Sequence, residues 1–363
     1  MPTRDSKIRV LIVDDSAMIR RVIAMGIQQD DRLEVVGYAT NGEQARDMLD
    51  RLRPDVITLD LEMPNMDGLT FMRTYMRQNP VPTVVISSTT NVNSRATIQA
   101  MEAGAVDIIA KPSAGTTAGL ASMMQDICVR IRQAASAKPG TTRPSVLVTP
   151  STSSGIQLPN RIPHSWIFAL GSSTGGIQAL TRILPFFPAE SPGIVICQHM
   201  PEGFTHSFAT RLDTLCQMRV NEARDGDLVQ KGQILIAPGG EKHMKIVRTQ
   251  TGYRVQLVAG DPVCYSRPSV DVLFESVAKE AGRYCSAAIL TGMGRDGAQG
   301  MLRIRQNGGR TFAQNEKTCV VYGMPQAAAQ VGAAESILPL DSIPKAMIEA
   351  ISATPVRSNP SLT

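Results

Sequence analysis

The stretch from Gln133 to Ser165 constrains this chain more than any other. Prolines stand at 139, 144, 150, 159 and 163 among Ser, Thr and Gly, with one short apolar island at Val146–Val148. Such a segment buries too little apolar surface to offset its chain entropy, so it reads as a tether, with a docking segment as the rival reading. Whatever flanks it must fold as separate bodies. We assign a first domain to 1–128, the tether to 129–162 and a second domain to 163–363. At roughly 100–200 residues per domain, 363 residues suffice for both.

On each side of the tether, short β-rich runs alternate with amphipathic stretches. In the first domain the runs are Ile8–Val13, Leu33–Val36, Val56–Leu59, Thr83–Ser87 and Asp107–Ala110, at intervals of about 25 residues. Helical patterns lie between them, as at Met18, Val22, Ile23 and Met25, then at Ala45, Met48 and Leu49. Strands alternating with helices give right-handed crossovers and a parallel sheet, and near-continuous apolar strands predict that both faces are covered. In the second domain, strands are expected at Ile167–Leu170, Ile194–Gln198, Ile234–Ala237, Arg254–Val258, Ala287–Thr291, Thr311–Ala313 and Ser336–Leu338. Helical patterns follow several of them, as at Ile177–Leu184 and Gly300–Arg305. Arg254–Val258 follows a Gly252 turn and fits an antiparallel hairpin. The fold class is therefore α/β, with two doubly wound parallel-sheet domains.

Composition narrows the function. The longest unbroken apolar run is five residues, Trp166–Leu170, far short of the ~20 that a membrane span needs. No membrane insertion is expected, and the first residues lack the apolar stretch of an export signal. The net charge of +5 is not gathered into a basic block, and aromatics are only 4%. That leaves no stacking surface for nucleic acid. Six cysteines without a C-x-x-C pair read as reduced thiols in a cytoplasmic protein.

In an open parallel sheet, ligands bind beyond the carboxyl ends of the strands. Asp14 and Asp15 fall there after the first strand and Asp60 after the third, while Ser87 ends the fourth and Lys111 follows the fifth. Carboxylates converging on one rim repel one another unless a cation joins them, and an all-oxygen set suits Mg²⁺. Any one of these acids could simply cap a helix. Five such residues in strand order are not explained that way. The motifs V-D-D-S (13–16), L-D-L-E-M-P-N-M-D-G (59–68), I-S-S (86–88) and K-P (111–112) resemble the receiver domain of two-component response regulators over about residues 6–128. The resemblance implies a flavodoxin-like fold and phosphorylation of Asp60 by a histidine kinase, with Asp14, Asp15 and Asp60 at the Mg²⁺. It also implies a switch hydroxyl at Ser87, a phosphoryl contact at Lys111 and a cis Lys111-Pro112 peptide. Ile108 departs from the family, which often carries a large aromatic there.

In the second domain, Gly171-Ser-Ser-Thr-Gly-Gly176 links a strand to a helix. Ser173 then sits at a helix N-terminus, where amide groups favour developing negative charge. The stretch also fits G-x-S-x-G, although a helix cap or phosphate loop would read the same. His199 follows the strand Ile194–Gln198, and Asp296 lies just past Ala287–Thr291. Serine, histidine and aspartate thus reach one rim as nucleophile, general base and orienting acid. His164, His206 and His243 are placed worse. An α/β-hydrolase would need the order Ser, acid, His, and no histidine follows Asp296. Gly292-Met-Gly-Arg-Asp-Gly297 with Glu316 matches a dinucleotide fingerprint, but too late in its domain and with a carboxylate inside the phosphate loop.

The motifs G-S-S-T-G-G (171–176), Q-H-M-P-E-G-F-T (198–205), A-P-G-G-E-K-H-M (237–244) and T-G-M-G-R-D-G (291–297) resemble the catalytic domain of chemotaxis protein-glutamate methylesterases, the CheB family. That implies a Rossmann-like domain with a Ser173–His199–Asp296 triad and an oxyanion region around Thr174 and Met293. It also implies hydrolysis of glutamyl methyl esters on chemoreceptors, deamidation of receptor glutamines, and no cofactor for the ester chemistry. The partners implied are a chemotaxis histidine kinase and methylated receptor cytoplasmic domains. Ser172 stands where the family usually has Ala, so it competes for the nucleophile's place. The reading from a different class is a response regulator whose second domain only binds partners.

Overall fold

Five short apolar runs near the N-terminus pair into one parallel sheet. They are β1 (Ile8–Val13), β2 (Leu33–Ala39), β3 (Val56–Leu59), β4 (Thr83–Ser87) and β5 (Asp107–Ala110), in the order β2-β1-β3-β4-β5. The helices between and after them are α1 (Ala17–Gln28), α2 (Gly42–Leu52), α3 (Gly68–Thr74), α4 (Asn91–Glu102) and α5 (Thr117–Ala135). Val10, Leu11, Ile12, Ile57, Leu59, Val84 and Val85 have no exposed surface, because helices cover both faces of the sheet. The computed structural model describes residues 7–76, 78–88, 91–111, 117–137 and 156–353. The Lys111-Pro112 peptide lies outside the described residues.

Two expectations for this domain need correction. The buried stripe of α1 is Ile23, Ala24 and Ile27, whereas Met18 and Met25 face solvent. Residues 129–135, assigned to the tether, belong instead to α5, which runs to Ala135 with Ile131 and Ala134 fully buried. A helix with an apolar stripe continues as long as the stripe has a core to meet.

The second compact unit is built on a seven-stranded parallel sheet. In chain order the elements from β6 onward are β6 (Ile167–Ser172), α6 (Gly176–Ile183), β7 (Ile194–Gln198), α7 (Phe204–Asp213), β8 (Arg219–Glu222), β9 (Leu228–Val229) and β10 (Gln233–Ile236). There follow β11 (Lys242–Thr249), β12 (Gly252–Ala259), α8 (Val270–Ala281), β13 (Cys285–Ile289), α9 (Ala298–Gln306), β14 (Arg310–Gln314), α10 (Met324–Gln330), β15 (Ser336–Leu338) and α11 (Ile343–Ala353). The sheet order is β15-β14-β13-β6-β7-β10-β8. The chain starts at β6, builds outward through β7, then returns to add β13 on the other side. The crevice beside β6 is therefore the topological switch point, where open α/β sheets bind ligands.

β11, β12 and β9 form a separate antiparallel sheet, so Arg254–Val258 does belong to a hairpin. Its partner β11 and the edge strand β8 were not expected. Both carry charged residues on an exposed face, which dilutes the apolar signal of a strand. α8 lies close on β6 because Gly171 has no side chain: a Cβ there would stand 2.3 Å from Val270 Cγ1. This contact fixes the α8 N-terminus at the switch point. No helix among the described residues is long and apolar enough to cross a membrane.

Candidate active site and acidic pocket

The first sheet gathers its charged residues where β1, β3 and β5 end. Asp14 and Asp60 are 1% and 2% exposed, whereas Asp15 is open to solvent. Lys111 Nζ lies 2.6 Å from Asp60 Oδ2 and 3.4 Å from Asp14 Oδ2. The Lys111 amide bonds the Ser87 carbonyl, which joins the ends of β4 and β5. Ser87 itself is buried and its hydroxyl donates to Ser88 O. The five residues expected here thus meet on one rim.

The pocket is electrostatically unfinished. Asp14 Oδ2 is buried and accepts no hydrogen bond, while Asp14 Oδ1 takes the Ser16 amide at 2.8 Å. Burial pushes the Asp14 and Asp60 carboxyls above the ordinary range, outweighing the pull of Lys111. Burial also pulls on Lys111, but its contacts with Asp60 and Asp14 win and raise it. One carboxylate oxygen from each of Asp14, Asp15 and Asp60 lies within 4.8 Å of the others. A buried oxygen met only by the Lys111 ammonium at 3.4 Å, beside two more carboxylates, fits a hard divalent cation such as Mg²⁺. Arg20, which sequence reasoning missed, donates to the carbonyls of Asp14 and Asp15 and holds that bend.

The second sheet brings its three candidates together at the ends of β6, β7 and β13. Ser172 is fully buried, and its hydroxyl donates to Gln198 Oε1 at 2.6 Å. Gln198 Nε2 in turn donates to the carbonyls of Ser173 (3.0 Å) and His199 (2.9 Å). Ser172 and Gln198 together clamp the two loops, a structural use of the residue that competed with Ser173. Ser173 is half-buried, and its amide donates to Thr291 O at 3.1 Å. Gly292 must be glycine, since a Cβ would come within 2.8 Å of Ser173 Cβ and 2.4 Å of Met324 Sδ. Among the described residues, the Thr174 and Met293 amides have no protein acceptor.

Asp296, 2% exposed, is saturated with donors. Its Oδ1 accepts from Ser269 Oγ (2.7 Å) and the Asp271 amide (2.9 Å), both at the start of α8. Its Oδ2 accepts from the Val270 amide (2.7 Å) and lies 2.8 Å from His199 Nε2. Burial alone would raise this carboxyl, but His199 and the other donors overcome it and hold it below its ordinary value. A carboxylate at Oδ2 requires hydrogen on Nε2, which leaves the lone pair of His199 on Nδ1. Nδ1 faces Ser266 Oγ at 3.3 Å.

Cys264, Asp271 and Asp296 also cluster within 4.8 Å. The Asp296 oxygens are spent, and Asp271 Oδ1 accepts the Gly300 amide at 2.7 Å, so this set has little left for a metal. His243 belongs to the supporting layer: its Nε2–H donates to Asp261 O and its Nδ1 accepts the Ser269 amide. Gln198 lies inside the motif Q-H-M-P-E-G-F-T without a role assigned to it, and Ser266 and Ser269 carry no sequence signal, because they reach His199 and Asp296 from a distant segment.

Comparison with known proteins finds two family models on separate parts of the chain. A family model described as CheB methylesterase matches residues 168–347, and one described as response regulator receiver domain matches 10–119. A protein-glutamate methylesterase/protein-glutamine glutaminase of Cereibacter sphaeroides is 57% identical over 350 residues, 96% of this chain and 94% of the relative. Its Salmonella typhimurium counterpart is 44% identical over 348 residues, 96% of this chain and 98% of the relative. The crystal structure of the Thermotoga maritima CheB methylesterase catalytic domain aligns with a TM-score of 0.50 at 39% identity, covering 51% of this chain and 98% of that one.

Proposed function

Because the chain belongs to the CheB methylesterase family, with a response-regulator receiver ahead of the enzyme, we propose that Ser173, His199 and Asp296 carry out its chemistry. The activity is that of a protein-glutamate methylesterase and protein-glutamine glutaminase. The observation that supports this assignment best is the four-donor cradle of Asp296, which grips His199 on the rim where Ser173 stands.

Ser173 Oγ attacks the side-chain carbonyl of a glutamyl methyl ester while His199 Nδ1 takes its proton. The Thr174 and Met293 amides, unspent in the resting protein, receive the negative charge on the carbonyl oxygen. When the intermediate collapses, the bond to the methoxy group breaks, and Nδ1–H delivers the proton that makes methanol. Water then repeats the sequence on the acyl-serine, yielding glutamate and free Ser173. With glutamine the same steps release ammonia. Asp296 stays ionised throughout and stabilises the imidazolium.

In the receiver, Asp60 accepts a phosphoryl group from a histidine kinase, and Lys111 contacts it once bound. Asp14 and Asp15 together with Asp60 would hold Mg²⁺, whose charge offsets that of the phosphoryl group. The receiver restrains the esterase until Asp60 is phosphorylated, and methylated chemoreceptors are the substrate. The setting is the cytoplasm, consistent with six unpaired cysteines. A partner-binding module would have no use for an ionised carboxylate orienting a histidine beside unspent amides.

The test is methanol release from methylated receptor by the intact chain and by Ser173→Ala. The variant should lose roughly 10⁶-fold in kcat without unfolding. Activity surviving in Ser173→Ala would remove the assignment.

A further inference from the structure

The base nitrogen of His199 has a hydroxyl partner in the resting protein, and it is not the proposed nucleophile. Ser266 Oγ lies 3.3 Å from Nδ1, whereas Ser173 Oγ makes no hydrogen bond to the ring among the described residues. With hydrogen on Nε2 for Asp296, Nδ1 can only accept, so Ser266 donates.

The segment carrying Ser266 is built at a conformational cost. Val263 and Ser266 exchange both backbone hydrogen bonds, at 3.1 and 2.9 Å, across a two-residue turn. The two central residues are Cys264 at φ 50° and Tyr265 at φ 63°. Tight turns of this kind ordinarily take Asn-Gly, and neither Cys nor Tyr favours the left-handed region. Backbone in that state persists only where its surroundings over-determine it, and such sites cluster at functional positions. Here the turn is pinned from behind. Arg267 donates from Nε to Gly240 O (3.1 Å) and from Nη1 to Gly260 O (2.8 Å), and two residues on, Ser269 holds Asp296. The result is a rigid delivery of one small hydroxyl to Nδ1.

Ser266 is poorly equipped to be a nucleophile. Its own amide is spent on Val263 O, and it sits in a hairpin turn, not at a helix N-terminus. The unspent Thr174 and Met293 amides belong instead to the Ser173 elbow and to the Gly292 loop that closes on it.

We infer that Ser266 is a positioning residue for His199. In the resting enzyme its hydroxyl donates to Nδ1 and fixes the ring plane. It yields the lone pair when bound substrate draws Ser173 into reach. Once Nδ1 has taken the Ser173 proton, the hydroxyl rotates and accepts from Nδ1–H, steadying the imidazolium until the proton passes to the leaving group. Ser266 itself neither gains nor loses a proton. The inference rests on His199 being the base.

The experiment uses the intact chain as wild type, Ser266→Ala, Ser266→Thr and Ser173→Ala. Active sites are titrated with a fluorophosphonate, the labelled peptide is mapped, and methanol release is followed over substrate concentration. Ser266→Ala should lower kcat per titrated site by about 3–10-fold, the worth of one hydrogen bond, with KM unchanged. Ser266→Thr should recover most of that loss, and the label should sit on the Ser173 peptide. An unchanged kcat in Ser266→Ala, or equal losses in Ala and Thr, would overturn the positioning role and leave the triad standing. A label on Ser266, or hydrolysis surviving in Ser173→Ala, would overturn the triad reading itself.

Discussion

Both sheets place their working side chains at the carboxyl ends of parallel strands, yet leave them in opposite electrostatic states. In the receiver, Asp14 and Asp60 share a single lysine, one Asp14 oxygen meets only that lysine, and burial drives both carboxyls upward. In the esterase domain, Asp296 is as little exposed but has four donors, and its carboxyl is driven downward. Exposure is nearly the same; the number of donors differs. An under-satisfied carboxylate pocket is suited to an incoming cation and phosphoryl group, while a saturated one is already set for proton transfer.

The largest expected effect that tests this contrast is at Asp296. Asp296→Asn keeps the shape but trades an ionised acceptor for a neutral amide, so His199 loses its fixed tautomer. The expected outcome is a fall of about 10⁴-fold in kcat, less than for Ser173→Ala, measured as methanol release per titrated site. A loss under tenfold would mean that the donor cradle is not what prepares His199.

The next effect is regulatory. Adding a small-molecule phosphodonor to the intact chain should raise methanol release by a factor of about 5–150, the range of a 1–3 kcal/mol coupling. Asp60→Asn should show no response, and removing the receiver should raise the basal rate. Equal rates in all of these would make the receiver a targeting device.

The smallest effect concerns stability. Asp271 lies beside Asp296 and is pushed up to about 6, first by burial and then by the charges of Asp296 and Glu275. The folded protein therefore keeps a proton that the unfolded chain releases near its ordinary value of 3.8, and stability falls as pH rises between those two values. Asp271→Asn should be more stable than wild type at pH 7.5 by about 1–2 kcal/mol, with the difference gone in acid below the ordinary carboxyl value. Denaturant unfolding of the second domain at both pH values checks this. Asp296 has the opposite sign, because its depressed carboxyl adds stability that is lost only as pH falls through its folded value.

Much of this was legible in the sequence, for physical reasons. β1, β3, β4, β5 and β7 fall where their apolar runs predict, because buried parallel strands leave an uninterrupted signal, and the half-exposed edge strand β15 also falls at its expected residues. The strand-end rule then placed Asp14, Asp60, Lys111, Ser173, His199 and Asp296 on two rims. What stayed hidden depends on long-range approach. Ser266 reaches His199 across 67 residues, and the α8 N-terminus reaches Asp296 only because Gly171 lets it close on β6. Ser172 illustrates the remaining limit: adjacency made it a rival nucleophile, and only the path of β6 turns it inward to Gln198.

The contrast between an unfinished rim and a finished one is tested most directly by removing divalent cations. Phosphorylation of Asp60 in the intact chain, followed by intact-protein mass after exposure to phosphodonor, should stop in chelator and return with Mg²⁺. Methanol release by the isolated domain from about residue 163 should not change in the same chelator. Silencing of the isolated domain by chelation would contradict a metal-free triad at Ser173, His199 and Asp296.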